Sequence, residues 1–142
     1  MNGDVAALIP AYNEAGPIVA VITAIQRLVG TVVVVDDGSS DSTAEVARLA
    51  GAEVIRHASR RGKGAAIRTG LARLQGRGHR YILMLDADGQ HDPEDAPNLI
   101  AALARARVAS ISRSRGAALV TSASRSTRAS AAICSTARSK AA

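Results

Sequence analysis

Residues 31–43 read TVVVVDDGSSDST. The first five are β-branched and too few for a helix, so they predict a buried strand. They run without a break into a polar, turn-rich loop. Inside that loop Ser42 and Glu45 have the spacing of a capping box, which predicts a helix from there to about Ala50. The unit is strand, polar loop, helix.

The same unit recurs on both sides. Residues 5–9, VAALI, read as a strand closed by Pro10, and AYNEAGP follows as a loop. Asn13 could cap the next helix and Pro17 suits its first turn. Ile18, Val21, Ile22, Ile25, Leu28 and Val29 then fall on one helical face, with Gly30 as the stop. Downstream, AEVIRH (52–57) is a short third strand, and ASRRGKG (58–64) is a basic loop before a helix over about 64–75 that ends at GRG. RYILMLD (80–86) is the fourth strand, and DPEDAPNLIAALARA (92–106) predicts a helix with an acidic first turn. Four strand–helix units with short connections imply an α/β fold, a parallel sheet with right-handed crossovers. No internal repeat is present. Ligands of such sheets bind beyond the carboxyl ends of the strands, and YNE, DDGSSD, SRRGKG and DADGQHD would converge there.

Composition agrees. The 142 residues allow one domain with a core. Phe and Trp are absent and Tyr12 and Tyr81 are the only aromatics, so the core must be aliphatic, as in helix-covered parallel sheets. The net charge of +6 is unevenly spread. Residues 1–104 hold ten Lys and Arg against all twelve acids, whereas residues 105–142 hold eight basic residues and no acid. A basic balance ordinarily points to nucleic acid or an anionic membrane, but here it belongs to the tail. The tail is rich in Ala, Ser and Arg and sustains no period, so disorder or poor packing is expected after residue 104. Cys134 stands alone, which fits a reducing compartment. No secretory signal and no run long enough to span a bilayer is visible, so a soluble chain is expected.

The acids at the strand ends carry the chemistry. Asp86 and Asp88 flank one residue, so in extended chain they point the same way, and Gln90 continues the alternation. Two carboxylates and an amide oxygen form a partial ligand set for Mg²⁺ or Mn²⁺, completed by phosphate oxygens and water. Without a cation the two carboxylates repel each other. Asp92, Glu94 and Asp95 are read as a solvated helix start. One of Asp36 and Asp37 can cap the turn that Gly38, Ser39, Ser40 and Asp41 make, leaving the other to accept N–H groups of a nucleobase. Lys63, between two glycines, could meet a phosphate; Arg60 and Arg61 are read as solvated. His57, His79 and His91 lack metal-ligand spacing and are read as structural or solvated. The loop after the fourth strand is no EF-hand, since His91 stands at the turn glycine. HASRRGKG is no P-loop, and no G-x-G-x-x-G follows the first strand. DADGQ is like the D-x-D-G-T of haloacid-dehalogenase phosphatases, which would make a Mg-dependent phosphotransferase, but that motif belongs on a first strand.

Together, IPAYNE (9–14), VVVVDDGSSDST (32–43), RGKGAAIRTG (61–70) and LDADGQHDP (85–93) resemble family 2 glycosyltransferases with the Rossmann-like GT-A fold, nearest the dolichyl- or polyprenyl-phosphate sugar transferases. The resemblance covers about residues 4–104. It implies a nucleotide-sugar-binding half with helices on both faces of the sheet, followed by a poorly ordered tail. It implies that Pro10, Tyr12, Glu14 and Asp37 hold the nucleoside of a UDP- or GDP-sugar, with Lys63, Asp86, Ala87 and Asp88 at the rest of the donor. Asp86, Asp88 and Gln90 would bind the divalent metal. The implied reaction moves a hexose to an acceptor, a polyprenyl phosphate in this branch, at the cytoplasmic face of a membrane. No catalytic base is assigned, because a phosphate acceptor is already an anion. Family members continue for about another hundred residues, so residues 105–142 are expected to be a truncated or frame-shifted ending, and the chain to bind donor without turnover. A non-catalytic nucleotide-sugar-binding pseudoenzyme is the alternative; a basic-tailed protein docking on nucleic acid or anionic lipid is a third reading.

Overall fold

The computed structural model describes residues 2–89 and 118–121. The chain runs β1 (Asn2–Ala11), α1 (Ile18–Gln26), β2 (Val29–Asp36), α2 (Thr43–Leu49), β3 (Glu53–Arg56), α3 (Lys63–Leu74), β4 (Tyr81–Met84) and β5 (Ala118–Thr121). The sheet order is β3-β2-β1-β4-β5. The first four strands are parallel, as the alternating sequence implies, and β5 pairs antiparallel with β4. β5 falls within the stretch expected to be poorly ordered. Its sequence, ALVT, is apolar and partly β-branched, and it pairs along the edge that β4 would otherwise leave open. The helix expected over 92–106, and Gln90, His91 and Cys134, lie outside the described residues.

Alternation along the central strands divides the core in two. Val5, Ala7, Ile9 and Ala11 of β1 join Val32 and Val34 of β2 on one face, under Ile18, Val21, Ile22 and Ile25 of α1 and Ala47 of α2. Ala6, Leu8, Val33 and Val35 face the other way, against Ala66 and Leu74 of α3. Helices therefore cover both faces of a sheet whose central strands are buried on both sides, which is why those strands read as unbroken aliphatic runs.

Two boundaries differ from the sequence reading. Leu28, Val29 and Gly30 were expected to finish the first helix, but α1 ends at Gln26 and β2 already begins at Val29. Val29 is buried opposite Asn2, and the β-branched run after Gly30 extends its ladder backwards. The fourth strand stops at Met84, two residues short of Asp86.

The connections decide where a ligand can sit. From β1 the chain steps outward to β2 and β3, then α3 carries it back across to β4 on the far side of β1. This reversal makes the carboxyl ends of β1 and β4 the switch point of the sheet. β1 stays paired with β2 as far as Ala11–Asp36, but with β4 only as far as Leu8–Met84. Beyond that pair the two strands part and a crevice opens.

The crossover helix lies close on β1. A Cβ added at Gly70 would stand 2.1 Å from Leu8 Cδ1 and 3.1 Å from its Cγ, and Leu8 is fully buried. Gly70→Val should therefore lower unfolding stability by about 1–3 kcal/mol through overpacking, read as a lower urea midpoint. An unchanged or raised midpoint would mean that α3 does not rest on Leu8.

Candidate functional site

Four loops leave the carboxyl ends of β1 to β4, and hydrogen bonds lock three of them together. Asp36 ends β2 wholly buried. Its Oδ1 accepts the Ser39 N–H at 3.1 Å and the Ser39 hydroxyl, and Oδ2 lies 3.2 Å from Arg56 Nε without hydrogen-bond alignment. Asp36 is thus the acid that makes the turn. Arg56 also donates to the Ser39 carbonyl at 2.8 Å, tying β3 to the same turn.

Asp37, the next residue, points to the loop after β3. Its Oδ1 accepts the Arg61 N–H at 2.8 Å and contacts His57 Nδ1 at 2.7 Å; its Oδ2 accepts the Gly62 N–H at 2.7 Å. His57 Nε2 meets the Thr69 hydroxyl on α3 at 2.8 Å. Because an ionised carboxylate only accepts, His57 carries its proton on Nδ1. Burial alone would raise the Asp37 pKa, but the hydrogen bonds from His57, Arg61 and Gly62 outweigh it and hold the carboxyl below its ordinary value. Gly38 makes this packing possible. It has φ 75°, and a Cβ there would lie 2.6 Å from the Ser59 carbonyl carbon.

The loop after β1 is pinned to the loop after β2. Asn13 N–H donates to Ser39 Oγ at 2.9 Å, Glu14 N–H to Thr43 Oγ1 at 2.9 Å and Ala15 N–H to Asp41 Oδ2 at 3.3 Å. Two caps expected from the sequence are not made. Asn13 caps no helix: at φ 51°, in the left-handed region that asparagine tolerates, its Oδ1 accepts the Ser40 N–H at 2.9 Å. Ser42 makes no side-chain cap bond to α2. Asp41 instead accepts the Thr43 N–H at 2.9 Å and the Thr43 hydroxyl at the start of α2. The Thr43 hydroxyl bond holds the Asp41 carboxyl below its ordinary value against a smaller opposing effect of burial.

Where β1 and β4 part lies a cleft of about 400 Å³. Pro10, Tyr12 and Glu14 line it from the β1 side, Asp37 from the carboxyl end of β2 and Lys63 from the start of α3. Asp86, Ala87 and Asp88 line it from the loop after β4, so every donor-site residue singled out from the sequence meets here. The way Asp86 and Asp88 arrive differs from the extended chain expected: the backbone turns at Ala87 and Asp88 and leaves through Gly89 at φ 73°. The Lys63 ammonium pairs with Asp86 Oδ1, so a positive charge is already held at that carboxylate. Two carboxylates at a mouth that stabilises an ammonium are hard oxygen donors and fit Mg²⁺ or Mn²⁺. Among the described residues no set of three His, Cys, Asp or Glu gathers for a metal, and Gln90 lies outside them.

Ala11, Arg60 and Ala66 also line the cleft and were not foreseen there. Arg60, read as solvated, sets its guanidinium 4.1 Å from the centroid of the Tyr12 ring. Tyr12 and Arg60 are distant in sequence, and no local pattern signals their stacking. His57 was read as structural or solvated and is buried; His79 is partly exposed, with Nδ1 3.1 Å from the Gly3 carbonyl.

Fold and cleft together define an α/β protein with a polar cleft at the switch point of a mainly parallel sheet. The sequence matches Glycosyl transferase family 2 over residues 6–136, and the chain belongs to that family. The match runs past residue 104, where the resemblance read from the sequence ends. Among relatives, the dolichyl-phosphate beta-glucosyltransferase of Saccharomyces cerevisiae is 32% identical over 120 residues, 72% of this chain and 35% of its own. The undecaprenyl-phosphate mannosyltransferase of Micrococcus luteus is 33% identical over 103 residues, 68% of this chain and 42% of its own. The glucosyl-3-phosphoglycerate synthase of Mycobacterium tuberculosis, solved with Mn²⁺, UDP-glucose and phosphoglyceric acid, superposes with a TM-score of 0.63 at 29% identity. That superposition covers 72% of this chain and 40% of the synthase. The chain spans less than half the length of these relatives.

The lowered Asp37 pKa carries a pH prediction. A carboxyl whose folded pKa lies below its unfolded one adds stability above the unfolded value, and this is lost as pH falls through the folded value. Stability should thus decline from about pH 4 downward. Asp37→Asn should flatten that decline, while the Asp41 and Glu53 contributions, also from lowered pKa values, persist. Denaturant melts between pH 7 and pH 2.5 measure it; parallel curves for variant and parent would contradict the assignment. Separately, Gly38→Ala should force the Ser59–Arg60 backbone away and lower the thermal midpoint, and an unshifted midpoint would contradict that packing.

Proposed function

We propose that the chain is the donor-binding part of a metal-dependent glycosyltransferase that takes a UDP- or GDP-sugar and passes its hexose to a polyprenyl phosphate. The observation that carries this reading is the meeting of Asp37 with Asp86 and Asp88 around one cleft at the sheet's switch point. The names of the yeast and Micrococcus relatives give polyprenyl phosphates as acceptors, and the mycobacterial neighbour was solved with UDP-glucose and Mn²⁺.

In this reading Tyr12 offers its ring face to the base, and Asp37 accepts from the base edge. Pro10 and Glu14 close the nucleoside end, and the Ala87 backbone borders the diphosphate. Asp86 and Asp88, with Gln90, would hold Mg²⁺ or Mn²⁺. When bound, the cation neutralises charge that builds on the departing nucleoside diphosphate. Lys63, paired with Asp86 at the cleft, would exchange that carboxylate for a phosphate oxygen of the donor. The acceptor phosphate is already anionic, so no protein base is assigned. Among the described residues no helix is long and apolar enough to cross a membrane. A lipid-linked acceptor would be met at the cytoplasmic face of a membrane.

Asp88→Asn should abolish Mn²⁺-dependent binding of UDP and GDP in calorimetric titration. Equal affinity with Mn²⁺ and with chelator, in parent and variant alike, would contradict the metal assignment.

A further inference from the structure

We propose that His57 is a positioning residue for nucleotide binding: its Nδ1–H, fixed from behind by the Thr69 hydroxyl, sets the Asp37 carboxylate at the cleft. The proposal rests on the reading of the cleft as a nucleotide-sugar site and concerns a residue that does not face it.

His57 and Thr69 are not among the described residues that line the cleft, whereas Asp37 is. His57 directly follows β3 and is buried, and Thr69 sits in α3. They form a chain, with Nε2 2.8 Å from Thr69 Oγ1 and Nδ1 2.7 Å from Asp37 Oδ1. The ends of that chain set the order of its protons. Asp37 only accepts, so Nδ1 carries the proton; Nε2 of the neutral ring then offers a lone pair, and the Thr69 hydroxyl donates to it. A ring held at both nitrogens cannot flip or change tautomer without losing a bond.

Asp37 has two further donors, the N–H groups of Arg61 and Gly62. They differ from His57 in kind. Their loop faces solvent, with Arg61 exposed and Gly62 half-buried, so water can replace them when the loop moves. His57 lies inside, where a donor or acceptor left without a partner bears the cost of its desolvation. His57 is therefore the donor that keeps Asp37 in one orientation while the loop adjusts to a ligand. The cleft's own cations do not take this part: Arg60 lies over Tyr12 and Lys63 pairs with Asp86. Burial raises the Asp37 pKa, and the His57 bond is the largest of the effects that bring it down.

Asparagine and glutamine separate the two ring nitrogens, because an Asn amide falls where Nδ1 stands and a Gln amide where Nε2 stands. The test is calorimetric titration of the full chain with UDP and with GDP, Mn²⁺ present. The urea midpoint and an NMR titration of the Asp37 carboxyl carbon are measured for each variant. His57→Asn should bind nearly as the parent does. His57→Gln should bind about 10-fold more weakly, as loss of a hydrogen bond to a charged acceptor implies. The Asp37 titration should move to higher pH in the Gln variant and stay in place in the Asn variant. Gln is nearer to His in size, so space-filling alone would give the opposite ranking. Thr69→Val removes the hydroxyl at nearly constant shape and should weaken binding, with recovery in Thr69→Ser; this pair carries the test if neither His57 variant folds. Equal affinities in the Asn and Gln variants, affinities that rank with the urea midpoints, an Asp37 titration unmoved by His57→Gln, or Thr69→Val as tight as the parent would overturn the proposal. Each leaves the nucleotide-sugar reading standing. If the parent binds neither UDP nor GDP, both fall.

Discussion

A buried carboxylate with three protein donors holds this site together. A charge withdrawn from water is costly unless it is hydrogen-bonded, and Asp37 meets that requirement by recruiting Arg61, Gly62 and His57 from the loop after β3. Order in that loop follows. It brings Arg60 over Tyr12 and starts α3 at Lys63, beside Asp86. The neighbouring Asp36 does the opposite job, folding its own loop down through Ser39 and Arg56. Adjacent acids on one strand end point to opposite sides, as the alternation of a strand requires, so one shapes the turn and the other serves the cleft.

The sheet supplies the space. β1 is central, and its pairing with β4 ends three residues before its pairing with β2 does. A crevice thus arises from unequal strand pairing at a point where the crossover direction reverses. α3 is the element that makes the reversal, and Gly70 lets it pass closely over Leu8. Packing in the core and position at the rim are in this way set by the same helix.

Much of this was legible in the sequence, because the strong signals were local and agreed with each other. The valine run of β2, the alternation of strand and helix, and the polar text after each strand all pointed to one edge of a parallel sheet. The paired acids Asp36 and Asp37 left open which one makes the turn; a single-residue register decides that, and only the paired strands fix register. The two expected caps fail for different reasons: Asn13 is taken by Ser40, a partner far away in sequence, whereas at the start of α2 the neighbouring Asp41, not Ser42, accepts from Thr43. Leu28 and Val29 continue the helical face and make Gly30 look like a helix stop, yet the β2 ladder claims Val29 and Gly30. Arg60 on Tyr12 and His57 between Asp37 and Thr69 are contacts between segments far apart in sequence, which no window of residues contains.

The central claim is that Asp37 and the Asp86–Asp88 pair serve one bound metal–nucleotide complex. Paramagnetic broadening of backbone amide signals in isotope-labelled chain, on adding Mn²⁺ with UDP, tests it most directly. The account predicts broadening that centres on Asp86 to Asp88, extends to Tyr12 and Lys63, and spares Gly78 and Arg80 at the opposite end of β4. Broadening centred away from the β1–β4 crevice, or identical with and without nucleotide, would contradict it.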